Sequence, residues 1–259
     1  MKTKATKLSL LILLLLSIVT MGSSQDQTFY EIKIYHFKTD EQERRIDQYL
    51  EKAFIPALHR LGLKQIGVFK PIEPDTIDRK IYVLIPHKSL TEISALQTKL
   101  AKDNAYLTAG ADYINAAYTA PPFNRLESII LKAFSHHPAL QLPKLKGLRN
   151  ERVYELRSYE GHTEKIFQNK VKMFNEGGEV ALFERLQFNA IFYGEVLVGS
   201  HMPNLMYMTS FENKAERDAH WKSFGADPEW KKLSSMPEYQ NNVSKNTITF
   251  LRPTDYSDY

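Results

Sequence analysis

A carboxylate, a cation and a phenol alternate along two short segments of this chain. In Tyr154-Glu155-Leu156-Arg157-Ser158-Tyr159 the set is Glu155, Arg157 and Tyr159; in Tyr30-Glu31-Ile32-Lys33-Ile34-Tyr35 it is Glu31, Lys33 and Tyr35. Residues two apart share one face of a β-strand, so each set would stand side by side. Such a face can orient a polar ligand, and pairing of acid with base limits the desolvation cost. The competing reading is a paired sheet face of architectural value only, because structural ion pairs also perturb ionisation. His201, in Gly199-Ser200-His201-Met202-Pro203, sits in a connection of the kind that often carries function and could serve as a base or ligand. Tyr207 and His220 complete the ligand-binding candidates of the second half, while Trp221 and Trp230 read as core. None of these residues is identified as catalytic.

The two segments belong to a longer repeat. Arg60-Leu61 returns as Arg185-Leu186, Tyr82 as Tyr207, and Asp103 and Tyr106 as Asp227 and Trp230, at nearly constant offset. Each half is therefore read as one copy of a unit. Period-two alternation predicts a strand over Phe29 to Phe37, and helical spacing of apolar residues predicts a helix over Asp40 to Leu61, capped by Asp40 and ended by Gly62. Strands at Leu63 to Lys70 and Lys80 to Ile85, a helix over Ser89 to Leu107 and a strand over Leu126 to Phe134 complete the first unit. The second repeats the order: strand Val153 to Tyr159, helix Glu164 to Leu186 broken at Gly177-Gly178, strands Phe188 to Val198 and Asn204 to Phe211, helix Ala215 to Phe224, strand Thr247 to Leu251. The order β-α-β-β-α-β is the split, ferredoxin-like arrangement. Helices would cover one face of each four-stranded sheet, and packing the two open faces together gives an α+β barrel within one chain. On that plan the more apolar alternate set belongs under the helices, and the acid–base–tyrosine set looks into the inter-sheet space.

The domain organisation is residues 1–24 as leader, 25–137 as first unit, 138–150 as linker with two prolines and a glycine, and 151–259 as second unit. Lys2, Lys4 and Lys7, the apolar run Leu8 to Val19 and the small residues Gly22 to Ser24 fit a cleavable secretory signal. The run falls short of the roughly 20 apolar residues that span a bilayer, so the mature chain is expected to have no transmembrane segment and to be secreted or periplasmic. Removal of the leader takes three lysines and no acid, lowering the net charge from +4 to +1. No basic stretch survives to favour nucleic acid or an anionic membrane. The chain has no cysteine, which excludes disulfides, thiolate chemistry, iron–sulfur clusters and a lipid anchor on cysteine. Nucleotide-binding, zinc-protease and serine-hydrolase signatures are absent, and the histidines have no metal-ligand spacing.

Beyond the strand at Tyr154 to Tyr159, three runs stand out: Pro203-Asn204-Leu205-Met206-Tyr207-Met208, Glu216-Arg217-Asp218-Ala219-His220-Trp221 and Phe224-Gly225-Ala226-Asp227-Pro228-Glu229-Trp230. With these motifs the second half resembles the NIPSNAP family, and the first half resembles a divergent copy carrying Lys33 for Arg157 and Tyr106 for Trp230. The resemblance implies a ferredoxin-like α+β barrel, exported bacterial members with tandem domains, and no settled activity or catalytic residue. The wider barrel superfamily includes monooxygenases, haem-degrading enzymes and chlorite dismutases, an analogy of fold alone. The expectation is an exported protein that binds a small, partly apolar ligand or a protein partner through the inter-sheet cleft. The alternative is a small-molecule enzyme of the monooxygenase-like kind with Arg157, Tyr207 or His201 orienting substrate; a structural homo-oligomer is the third. No cofactor is evident, with haem and flavin left open.

Overall fold

A computed structural model describes residues 27–259; the leader read at 1–24 lies outside the described residues. In the first unit, strand β1 (Phe29–Phe37) is followed by α1 (Asp40–Tyr49), a wide π-type turn at Leu50–Phe54 and α2 (Ile55–Arg60). The single helix read from the sequence is thus one continuous rod with an expanded turn. Its cap is Thr39, not Asp40: Thr39 Oγ1 accepts from the Gln42 N–H at 3.2 Å, and Gln42 Oε1 accepts from the Lys38 N–H at 2.9 Å. Side chain and backbone satisfy each other there much as in a capping box. Gly62 follows the helix at φ +84°, where a glycine adopts the left-handed backbone without a Cβ penalty. Strands β2 (Gly67–Pro71) and β3 (Arg79–His87) lead to α3 (Leu90–Leu100), α4 (Asn104–Ala109), α5 (Ala111–Ile114) and β4 (Arg125–Ala133). The predicted helix Ser89 to Leu107 breaks because Asp103 turns its carboxylate onto the Tyr106 N–H and starts a new helix.

The second unit runs β5 (Val153–Glu160), α6 (Glu164–Phe174), α7 (Glu179–Arg185), β6 (Ala190–Val198), β7 (Asn204–Phe211), α8 (Lys214–Ala226), α9 (Pro228–Ser235), a short 3-10 turn at Pro237–Tyr239 and β8 (Lys245–Pro253). Gly178, at φ +85°, separates α6 from α7 as its sequence implied. The sheets have strand orders β4-β1-β3-β2 and β6-β7-β5-β8, and they join edge to edge through β2–β8 and β4–β6 into one closed eight-stranded barrel. Closure leaves no free strand edge, and eight strands make an interior that side chains just fill.

That closure reverses one sequence expectation. Tyr30, Ile32 and Ile34 of β1 and Tyr154 and Leu156 of β5 point into the barrel, in one cluster with Leu84, Leu131, Phe192 and Met208. Glu31, Lys33 and Tyr35, and likewise Glu155, Arg157 and Tyr159, therefore lie on the outer face, beneath the helices. The alternation was legible but its phase was inverted. A closed lumen receives no side chain from a helix, so along its middle it takes the uncharged set, in which the Tyr30 and Tyr154 hydroxyls find no partner among the described residues, whereas the helical layer can bring donors and counter-charges to the charged set.

The repeat is partly structural clamp. Arg60 reaches Asp103 at 2.6 Å and Arg185 reaches Asp227 at 2.9 Å, tying the end of the first helical rod to the cap of a later helix in each unit. Tyr82 and Tyr207 are not equivalents: Tyr82 pairs with Ile34 and faces the lumen, Tyr207 pairs with Arg157 and faces the helices. Val83, which pairs with Lys33, is the true counterpart of Tyr207.

Candidate functional site

The polar set of β5 is sealed between sheet and helices. Glu155 is 0% exposed and is an acceptor for four N–H donors: Arg157 Nε at 2.6 Å, Arg217 Nε at 2.7 Å, Arg217 Nη2 at 2.8 Å and Trp221 Nε1 at 2.8 Å. Burial pushes its carboxyl up, but the hydrogen bonds from Arg217 and the charges of Arg157 and Arg217 outweigh this and hold it below the usual carboxylate range. The Arg157 guanidinium stacks on the Trp221 ring at 3.6 Å and donates to Tyr159 Oη at 2.9 Å, whose hydroxyl in turn meets that of Tyr207 at 2.9 Å. Next to it, Lys170 and Glu179 form a buried pair at 2.8 Å, with Lys170 Nζ 4.6 Å from the Phe174 ring centre. Burial dominates at Glu179 and raises its carboxyl despite Lys170.

Glu155, Arg157, Tyr159 and Tyr207 are thus brought together, but in a closed network whose donors and acceptors are spent on one another. Trp221, half-buried against the aromatic core as expected, also covers that network. Arg217 was missed as a partner: it lies 62 residues from Glu155, and no local spacing announces the contact.

In the first unit Glu31 and Lys33 pair at 3.0 Å, and Ser128 Oγ donates to Glu31 at 2.6 Å. His87, fully buried, stands 3.7 Å from Glu31 and 3.6 Å from Glu92. Burial pushes Glu31 up, while His87, Lys33 and Ser128 together bring it down to about 2. Lys33 and Ser128 are inside hydrogen-bonding distance and His87 is not, so the first two carry most of that shift. This too is a paired structural cluster.

The inter-sheet space itself ends at one mouth of the barrel in a cavity of about 180 Å³. Its walls are Ile34, Tyr82, Ile129, Leu156 and Met206, and its rim carries His36, Lys80 and Glu127 from the first unit with Glu160, His201 and Lys245 from the second. His36 and Glu160 end strands β1 and β5 at equivalent places in the repeat, so both units deliver their polar strand ends to the same opening. His36 is clasped between Asp78 and Glu127, 2.8 Å from each. Asn204, 3% exposed, accepts from Ser158 Oγ at 3.0 Å, leaving its amide N–H groups beside the cavity. His201, in the left-handed region at φ +63°, lies here with Nδ1 3.7 Å from Glu160. Of the candidates read from sequence, only His201 is at the inter-sheet opening; Glu31, Lys33, Glu155, Arg157, Tyr159 and Tyr207 are all on the other face. His36, Lys80, Glu127 and Glu160 were not among the candidates read from sequence.

Among the described residues, no group of three or more His, Cys, Asp or Glu is placed to hold a metal ion, and no helix is long and apolar enough to cross a membrane.

Residues 154–258 match the NIPSNAP family model. No curated protein matches the chain. Among solved structures, a proposed monooxygenase from Lactobacillus acidophilus NCFM superposes with a TM-score of 0.55 at 12% identity, over 88% of this chain and 94% of that one. An anthrone oxidase-like protein gives 0.53 at 8% identity, over 89% and 93%. A NIPSNAP family protein from Agrobacterium tumefaciens str. C58 aligns with 45% of this chain and 98% of its own at 19% identity and a TM-score of 0.37. The first two likenesses establish a shared α+β barrel fold and nothing about chemistry.

Proposed function

We propose that this chain, whose second half matches the NIPSNAP family model, binds a small, partly apolar molecule in the barrel mouth. The observation that carries this reading is the composition of the opening: an apolar floor of Ile129, Leu156 and Met206 beneath a rim of titratable groups drawn from both units. Binding sites for small molecules combine apolar walls with a few placed polar groups in this way. A ligand's apolar body would sit on the floor, with its polar head reaching Asn204, Lys80 or His201. The size of the cavity favours a compact ligand, below the common range of about 300–1,000 Å³ for drug-sized sites. The closed network around Glu155 and Arg157 supports the site indirectly, by fixing β5 against its helices.

The leader-like first 24 residues support action outside the cytoplasm, and one experiment examines both points. The protein is purified from its native export route and weighed by native mass spectrometry. Loss of the leader mass and a retained small molecule, displaced in Leu156→Trp, are expected. A colourless, ligand-free protein that also fails to bind indole or 4-hydroxybenzoate, judged by the Met206 methyl signal in NMR, would sink the reading. A bound haem or flavin band would favour a catalyst of the monooxygenase-like kind instead.

A further inference from the structure

The strap between the two units roofs a second cavity, of about 650 Å³ and well apart from the barrel mouth. Four backbone contacts fix that roof. The Thr28 N–H donates to Pro138 O at 2.8 Å, the Gln141 N–H to Ile191 O at 3.0 Å, and the Lys146 and Gly147 N–H groups to the Glu212 carboxylate at 2.7 and 2.6 Å. Val180 of α7, Ala190 and Tyr193 of β6 and Leu142 of the strap line the cavity. Its volume lies within the range of about 300–1,000 Å³ typical of small-molecule sites.

Two buried side chains in its wall hold polar atoms with no partner among the described residues: Tyr193 Oη, on a residue 1% exposed, and His137 Nε2, on a residue 8% exposed. Their rings meet edge to face at 5.1 Å. A buried polar group without a partner costs roughly 1–3 kcal/mol, so two at one cavity wall point to a ligand that would satisfy them. Burial raises the Tyr193 phenol far above its ordinary value, so its O–H is a donor. Burial likewise pushes the His137 imidazole down, partly countered by a hydrogen bond to the Ile191 backbone. A neutral imidazole carries one accepting ring nitrogen, and in the tautomer protonated at Nδ1 that nitrogen is Nε2. The rim carries Lys144 and Lys146 together with Glu184, Glu212 and Glu216, and the Glu212 carboxylate is already engaged by the Lys146 and Gly147 N–H groups, so the charges nearly balance.

We infer that the space beneath the strap is a second binding site, for an uncharged ligand with an apolar body and a donor–acceptor edge, such as a lactam or secondary amide, read by Tyr193 and His137. Both atoms are covered in the unliganded protein, so the strap side chains over them would shift as the ligand's N–H donates to His137 Nε2 and its carbonyl accepts from Tyr193 Oη, while its body packs on Val180 and Leu142.

Quinolin-2(1H)-one is a suitable probe, titrated into the full-length mature protein and followed by NMR and calorimetry. Saturable binding is expected, weakened about tenfold or more by N-methylation of the probe and by Tyr193→Phe, since about 1.4 kcal/mol is a factor of ten. Gln141→Trp, an exposed strap position at the cavity, should block it, whereas Leu156→Trp in the barrel mouth should not. Absence of saturable binding to the wild-type protein overturns the inference. Equal affinity for the N-methyl analogue, or for a Tyr193→Phe protein with unchanged thermal unfolding, does so as well.

Discussion

Glu155→Gln separates architecture from ligand binding. In the native protein Oε1 accepts from Arg157 Nε and Arg217 Nη2, while Oε2 accepts from Arg217 Nε and Trp221 Nε1, all within 2.8 Å. Glutamine retains one oxygen. Its amide nitrogen then faces two donors where the carboxylate presented an acceptor, and two guanidinium groups lose their counter-charge inside the fold. Removing one partner of a buried ion pair costs about 3–5 kcal/mol, and two lost bonds to charged groups at about 1.5–3 kcal/mol each give the same range. For a chain of this size, each kcal/mol moves Tm by about 2–4 °C. A fall in Tm of roughly 6–20 °C is therefore expected in a circular-dichroism melt. Arg217→Met should lower Tm in the same direction, and the double variant should lose less than the sum of the singles because both break one network. Below the transition, the barrel mouth should bind its ligand as before, since no atom of Glu155 reaches the lumen. A Tm change under about 3 °C would refute the energetic reasoning, because it amounts to no more than about 1 kcal/mol. Loss of barrel-mouth binding at unchanged Tm would refute the assignment of roles.

Two further outcomes follow from buried charge. Glu31 is held at about 2 against an ordinary value of 4.5, so its contribution is present above pH 4.5 and is lost as pH falls from there towards 2. The shift corresponds to about 3 kcal/mol at neutral pH; urea midpoints of wild type and Glu31→Gln should differ most at pH 6, draw together as pH falls below 4.5 and converge only towards pH 2, and a constant gap would contradict the linkage. Lys170→Met leaves Glu179 alone in the interior and should destabilise by about 3–5 kcal/mol, while Lys170→Met with Glu179→Leu should recover most of that loss or exceed wild type; equal urea midpoints for the single and double variants would show that the pair is not coupled.

Much of the architecture was legible because the repeat constrains it at several levels. The order of strands and helices and the break at Gly178 each rest on local chemistry that one sequence displays. The barrel as a whole followed from the need to cover two sheet faces. Which alternate set of β1 and β5 faces inward did not follow, because both faces of a barrel strand are buried and each set contains large apolar side chains. Tyr154, Leu156 and Tyr159 suit either side. The phase is decided by partners that are distant in the chain: Arg217 and Trp221 can reach Glu155 from α8, and nothing comparable enters the lumen.

The same asymmetry explains why the strongest sequence signal was not the strongest site. Charged residues that recur in a repeated strand are conspicuous, yet Glu31 with Lys33 and Glu155 with Arg157 have consumed their hydrogen-bonding capacity on each other and on neighbouring helices. Groups with capacity to spare lie at less conspicuous positions: Asn204 and His201 at the barrel mouth, and Tyr193 and His137 beneath the strap. Tyr193 looks in sequence like any aromatic in a strand, and His137 like a histidine at a strand end. A buried polar atom such as Tyr193 Oη becomes a candidate for recognition when burial has removed water and the fold has supplied no partner, and both conditions arise from contacts between elements far apart in the chain. A repeat can reveal which residues hold a unit together, while the chemistry left open to a ligand is set where the copies and the strap between them meet.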